Sequence, residues 1–136
     1  MRDETRVDLS KYRMQKAEEM LASSKREFEA GDYASANNRA YYSIFHMLRA
    51  VLALDGEDYK KHSAVISRFS QNYLKTDVIS RDYSKLIFNA SAIRNRSDYE
   101  DFYICSIKDT ENLISGAADF YAAVKAYLEK RYLEES

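Results

Sequence analysis

Apolar residues along this chain recur with the spacing of helices that bury one face. Five segments show this spacing, at about residues 10–30, 33–54, 62–74, 80–97 and 106–132. None of them alternates with the period of two that a half-buried strand requires. The chain has no proline and only three glycines, so little interrupts long helices. The pattern predicts an all-α protein of about five helices.

The second segment is apolar over most of its circumference. Tyr41 and Phe45 lie on one stripe, and Ile44 lies on a neighbouring one. A helix with two apolar faces lies at the centre of a bundle or in a dimer interface. Before it, Gly31 and Asp32 predict a tight turn, with glycine ending one helix and aspartate capping the next.

Composition predicts one globular domain over 1–136, with its core at about 10–132. The single cysteine, Cys105, excludes an internal disulfide and favours a reducing compartment. The charged N-terminus lacks the apolar region of a secretory signal, and no apolar run approaches the ~18 residues of a membrane span. We therefore expect a cytoplasmic protein that does not enter a membrane.

Charge is distributed unevenly around a net charge of −1. Residues 39–96 contain ten Lys or Arg and five Asp or Glu, whereas the flanks contain eleven and seventeen. The overall charge argues against a dedicated nucleic-acid binder but leaves room for a local basic surface. The alternative is that these charges lie on ordinary solvated helix faces.

Arg94 continues the apolar stripe of the fourth segment, after Ile87 and Ala90. A buried guanidinium needs a partner, so we expect Arg94 to be paired or to face a cleft or a second subunit. One interpretation is an internal clasp with Asp98, one helical turn further on. The other is an arginine that lines a phosphate-binding cleft, because its planar fork suits phosphate oxygens.

Two further polar groups can bind an anion. The second segment carries a polar line of four residues that can hold a phosphate and stack a base: Arg39, Tyr42, His46 and Arg49. Its alternative is a solvated helix edge with His46 bonded locally. Lys60, Lys61 and His62 precede the third segment, where basic residues and free N–H groups together attract anions, although charged loops are common.

Metal and nucleophile sites are not predicted. The two histidines, His46 and His62, and the lone Cys105 have no zinc-site spacing, and there is no nucleophile elbow or glycine-rich phosphate loop. We expect no metal and no cofactor.

Three motifs in order resemble the HEPN domain family, and within it the small stand-alone HEPN proteins. They are ANNRAYYSIFH at 36–46, KKH at 60–62 and RNRSDY at 94–99. The resemblance extends from about residue 10 to 130 and includes the helix order.

The resemblance implies an up-and-down antiparallel helical bundle that commonly forms a homodimer. Many members are toxins that cleave RNA without a metal, using an arginine and a histidine separated by a short spacer. Small members are often paired with a minimal nucleotidyltransferase antitoxin, which in some pairs transfers AMP onto a tyrosine. By position, Arg94 is the motif arginine, Asn95 is the polar residue after it, and Arg96 and Asp98 lie within the motif.

The histidine position of the motif holds Tyr99, and tyrosine, whose reference pKa is ~10, is a poor general base at neutral pH. Tyr99 can still hydrogen-bond, stack on a base or accept AMP. The leading hypothesis is therefore a dimeric nucleotide- or RNA-binding partner of a nucleotidyltransferase. The alternatives are a ribonuclease toxin, with Arg94 assisted by Tyr99 or His46, and a helical scaffold without catalysis.

Overall fold

The computed structural model describes residues 3–100 and 104–135, without the side chains of Asp3 and Asp98. In these ranges there are five α-helices and no strand: α1 (Asp3–Glu29), α2 (Tyr33–Leu54), α3 (His62–Phe69), α4 (Ser84–Tyr99) and α5 (Ile107–Glu135). A turn of π-helix, Ser70–Leu74, continues α3, and a 3₁₀ turn, Arg81–Tyr83, leads into α4. The prediction of an all-α, up-and-down antiparallel bundle is confirmed.

Helix α2 is the central helix of the bundle. It contacts α1, α3, α4 and α5, and 14 of its 22 residues are buried. Its two apolar stripes therefore reflect a position surrounded by other helices. The core side chains of α5 pack around it at the predicted spacing, with Phe120, Val124 and Leu128 completely buried.

Helices α1 and α2 form the predicted hairpin around Gly31. Gly31 has a φ of +82°, which favours glycine, and its N–H donates to the Phe28 carbonyl at 3.0 Å. The Asp32 N–H donates to the Glu27 carbonyl at 2.9 Å, which completes a Schellman ending of α1. The Asp32 carboxylate then accepts from the Ser35 N–H at 3.0 Å and caps α2.

The terminal helices are longer than the apolar spacing predicts. Helix α1 begins at Asp3 rather than near residue 10, and α5 continues to Glu135. The extensions are held by side chains: Val7 of α1 packs against the core, and Glu135 of α5 forms a 3.4 Å ion pair with Arg131. The residues that extend α5, Leu133, Glu134 and Glu135, also have good helix propensity.

The bundle brings together the N-terminal half of α2, the start of α3 and the C-terminal half of α4. Polar residues from all three motifs lie in this region. Among the helices in the described ranges, none is both long and apolar enough to cross a membrane.

Candidate functional site

Arg94 lies against two consecutive tyrosines of α2. Its guanidinium carbon is 5.2 Å from the ring centre of Tyr41 and 5.9 Å from that of Tyr42. At these distances the charge is attracted by the negative faces of the rings. Arg94 is half-buried, so it lies in the seam between α2 and α4 with part of its surface open to solvent.

His62, the first residue of α3, packs on the same aromatic group. Its ring stacks on Phe45 with centroids 4.0 Å apart, and its Nδ1 lies 2.8 Å from the Tyr41 hydroxyl. The ring of Tyr42 meets it edge-on at 5.9 Å. We call Tyr41, Tyr42, Phe45, His62 and Arg94 the arginine–aromatic cluster.

Burial and positive charge keep His62 neutral at physiological pH. Desolvation lowers the pKa of His62, and the nearby charges of Arg94 and Arg49 lower it further. Burial raises the pKa of Tyr41, partly opposed by Arg94, so this hydroxyl remains protonated. The cluster thus combines one fixed cation, a neutral imidazole and a phenol, which suits an anionic ligand that carries rings.

A small cleft adjoins the cluster on the side of the α2 N-terminus. Its volume is about 250 Å³, and its lining residues come from α2 and α4: Ala34, Ser35, Asn37, Asn38, Arg39, Arg94 and Ser97. Arg39 is held at its side by hydrogen bonds to Ser23 Oγ at 3.2 Å and Asn38 Oδ1 at 3.3 Å. We call this space the Asn37 cleft. Arg94 belongs to both the cleft and the cluster.

The predicted polar line of α2 is divided between different environments. Tyr42 lies in the cluster and Arg39 in the Asn37 cleft, whereas Arg49 forms a 3.0 Å ion pair with Asp58. His46 is half-buried, and the charges that influence it are those of Arg49, Arg13 and Lys16. The histidine whose pKa is lowered by the charge of Arg94 is therefore His62.

The other predicted residues lie around the cluster or away from it. Lys61 is exposed at the N-cap of α3 and makes no side-chain cap bond there. Asn95 is exposed, and Arg96 forms a 2.7 Å ion pair with Glu100 and lines a separate groove between α4 and α5.

Tyr99 is 80% exposed and points away from Arg94, because five residues turn an α-helix by about 140° beyond a full turn. The predicted ion pair between Arg94 and Asp98 lies outside what the structure describes, because the Asp98 side chain is not among the described side chains. Within the described ranges, His, Cys, Asp and Glu form no group of three that could hold a metal ion.

Residues of this region that sequence reasoning did not select as site residues include Tyr41, Phe45, Asn37 and Ser97. Tyr41 and Phe45 were assigned to the core, and both are indeed buried, but their outer edges hold Arg94 and His62. Asn37 has a detectable signal, because it continues the buried stripe of Tyr41 and Phe45 with a polar side chain. Ser97 gives no comparable signal.

The protein is an all-α helical bundle with a cationic and aromatic cluster between α2 and α4. A model of the HEPN domain family matches residues 10–130. The chain therefore belongs to the HEPN family, as the motifs at 36–46, 60–62 and 94–99 indicate.

Its relatives include proteins named as toxins. The chain is 32% identical to "Putative toxin MJ0605" of Methanocaldococcus jannaschii, over 84% of both chains. It is 32% identical to a UPF0332 protein of Archaeoglobus fulgidus, over 82% of this chain and 94% of the relative. A UPF0332 protein of Thermotoga maritima is 26% identical, over 87% and 89% of the two chains.

Proposed function

We propose that this HEPN protein is the RNA- or nucleotide-binding member of a toxin–antitoxin-type pair with a minimal nucleotidyltransferase. The observation that carries the proposal is the arginine–aromatic cluster, in which Arg94 lies against Tyr41 and Tyr42 beside His62. The toxin names of two Methanocaldococcus jannaschii relatives support the assignment to such a pair.

The cluster has the groups that a nucleotide requires. The guanidinium of Arg94 can donate two parallel hydrogen bonds to a phosphate, and its charge assists both. Tyr42 and His62 are only partly buried, so their rings have edges and faces within reach of a ligand. Such rings stack on nucleic-acid bases without strong sequence preference. Arg39 adds a second positive charge across the adjoining cleft.

A homodimer is part of the proposal and is supported by two exposed aromatic side chains on α4. Phe88 is 72% exposed and Tyr99 is 80% exposed. They are 11 positions apart, which places them within about 20° of each other on an α-helix. Their apolar surface would be removed from water if this face of α4 packed against a second copy. Phe88→Asp is therefore expected to convert a dimer to a monomer in light scattering, whereas Phe88→Leu should not.

Binding to a fluorescent single-stranded RNA decamer tests the proposal. Arg94→Ala should weaken binding by about tenfold to a hundredfold, because a hydrogen-bonded charge contributes roughly 1.5–3 kcal/mol. Arg96→Ala is the matched control on the same helix, since Arg96 pairs with Glu100 over a different groove. Equal effects of the two substitutions would contradict an RNA site at the cluster.

The position of His62 favours metal-independent RNA cleavage as a second candidate function. Where its Nδ1–H donates to the Tyr41 hydroxyl, Nε2 carries a lone pair, and the lowered pKa of His62 keeps it available at pH 7. Nε2 could then take the proton of a ribose 2′-hydroxyl as its oxygen attacks the adjacent phosphorus, while Arg94 stabilises the negative charge there. The bond from phosphorus to the 5′-oxygen would break to leave a 2′,3′-cyclic phosphate, and the 5′-oxygen would take a proton from solvent water. His62, rather than Tyr99 or His46, would replace the motif histidine.

Cleavage of RNA by the purified protein in EDTA tests this second function. A ribonuclease of this kind loses activity in His62→Ala and Arg94→Ala but keeps it in His46→Ala. Activity that survives in His62→Ala would exclude His62 as the base. If the wild-type protein binds the RNA but leaves it intact, cleavage is refuted and only the binding function remains.

A further inference from the structure

Asn37 is a buried amide in the second turn of α2. The residue is only 3% exposed. In the described part of the chain, neither its Oδ1 nor its Nδ2 has a hydrogen-bond partner. Buried polar side chains in folded proteins are nearly always paired, because an unmet donor or acceptor destabilises the fold. Because both polar atoms of the Asn37 amide lack a hydrogen-bond partner among the described residues, we looked for a ligand that could supply one.

The location of Asn37 indicates such a ligand. It lines the Asn37 cleft together with Arg39 and Arg94, whose charges attract phosphate. The cleft volume of about 250 Å³ is below the roughly 300 Å³ of the smallest drug-sized pockets. The space suits the planar base of one nucleotide, with its phosphate beside the two arginines.

We infer that Asn37 recognises the edge of a nucleobase whose phosphate is held by Arg39 and Arg94. An asparagine amide presents one donor beside one acceptor, and a base in a single strand presents the complementary pair on an open edge, as adenine does through its N6 amino group and N7. This inference rests on the proposed nucleotide- or RNA-binding function, and it assigns base recognition to a residue outside the arginine–aromatic cluster.

Binding of a base requires that the Asn37 amide become accessible. Both polar atoms of Asn37 are covered in the free protein, and Arg39 and Arg94 are the long, flexible side chains in the cleft lining. Arg39 is bonded to neutral partners, Ser23 and Asn38, which a phosphate can replace with a stronger, charge-assisted bond. Movement of the arginines onto the phosphate uncovers Asn37 for the base.

The experiment compares a fluorescent adenosine decamer with a decamer of abasic ribose phosphates as ligands of the wild type and Asn37→Leu. Leucine has a similar size but offers no hydrogen bonds. The wild type is expected to bind the adenosine decamer more tightly than the abasic one. Asn37→Leu should bind the adenosine decamer about tenfold more weakly than the wild type does, as loss of one bidentate base contact predicts, and should bind the abasic decamer equally well. Asn89→Leu, an exposed asparagine of α4 outside the cleft, is the matched control.

Thermal unfolding of the same variants separates this role from a structural one. Because Asn37 has no hydrogen bond to lose among the described residues, Asn37→Leu should unfold no earlier than the wild type. A lower unfolding temperature with an unchanged preference for the adenosine decamer would overturn the inference, as would a wild type without that preference. Loss of all RNA binding in Arg94→Ala with selectivity changed only in Asn37→Leu supports it. A wild type that binds neither decamer would refute the proposed function itself.

Discussion

Two buried serines hold the α1–α2 hairpin that supports the Asn37 cleft. Ser24 Oγ donates to the Ala36 carbonyl of α2 at 2.7 Å, and Ser43 Oγ donates back to the Ala17 carbonyl of α1 at 2.8 Å. Both serines are completely buried. These bonds fix the register of the two helices directly beside Asn37.

Replacing each serine by alanine should destabilise the protein by a calculable amount. Each substitution removes one net hydrogen bond of about 1 kcal/mol but gains up to roughly 0.5 kcal/mol in helix propensity. The two bonds are about 10 Å apart along the helices, since seven residues rise 1.5 Å each, so their effects should add. Ser24→Ala/Ser43→Ala is therefore expected to lose about 1 kcal/mol in total.

Urea denaturation of the double variant measures this loss, with Ser115→Ala as the control. Ser115 is exposed on α5, so its replacement reports the propensity gain alone. When the propensity gain measured for Ser115→Ala is subtracted at each of the two sites, the loss of the two hydrogen bonds should amount to about 2 kcal/mol in the free energy of unfolding. A double variant as stable as the wild type would show that these bonds do not hold the hairpin.

Three further predictions concern the fold. Burial and the charges of Arg49, Arg13 and Lys16 lower the pKa of His46, so the unfolded chain takes up its proton first on acidification. The contribution of neutral His46 to the free energy of unfolding should therefore be fully present above pH ~6.5 and decrease as the pH falls below that value. Urea denaturation at a series of pH values should show a smaller decrease for His46→Gln than for the wild type. Phe120→Ala should cost about 3–5 kcal/mol in urea denaturation, because the side chain is completely buried. Gly31→Ala should cost about 1–2 kcal/mol in the same assay, because alanine resists the φ of +82°.

The fold could be predicted from sequence because helix spacing records burial directly. Stripes such as Phe120, Val124 and Leu128 repeat every three to four residues, and all three are buried as expected. The ends of α1 and α5 could not be predicted, since no apolar period extends to Asp3 or Glu135 and a contact such as that of Val7 with the core depends on the tertiary fold.

The candidate site was predictable only in part. Arg94 was identifiable as a charge on an apolar stripe, and Tyr42 and His62 belong to recognisable motifs. Which histidine lies beside Arg94 depends on how α3 packs on α2, and that packing brings the His62 ring within 4.0 Å of Phe45. A linear pattern on α2 alone selects His46 as readily.

The two histidines allow the most direct test of the RNA site. His46 and His62 are the only imidazoles in the chain, so a histidine-selective NMR spectrum contains one signal set for each. Titration with an RNA decamer is expected to shift the His62 signals and to leave those of His46 in place. A shift confined to His46, or no shift when binding is saturated, would contradict an RNA site at Arg94, Tyr42 and His62.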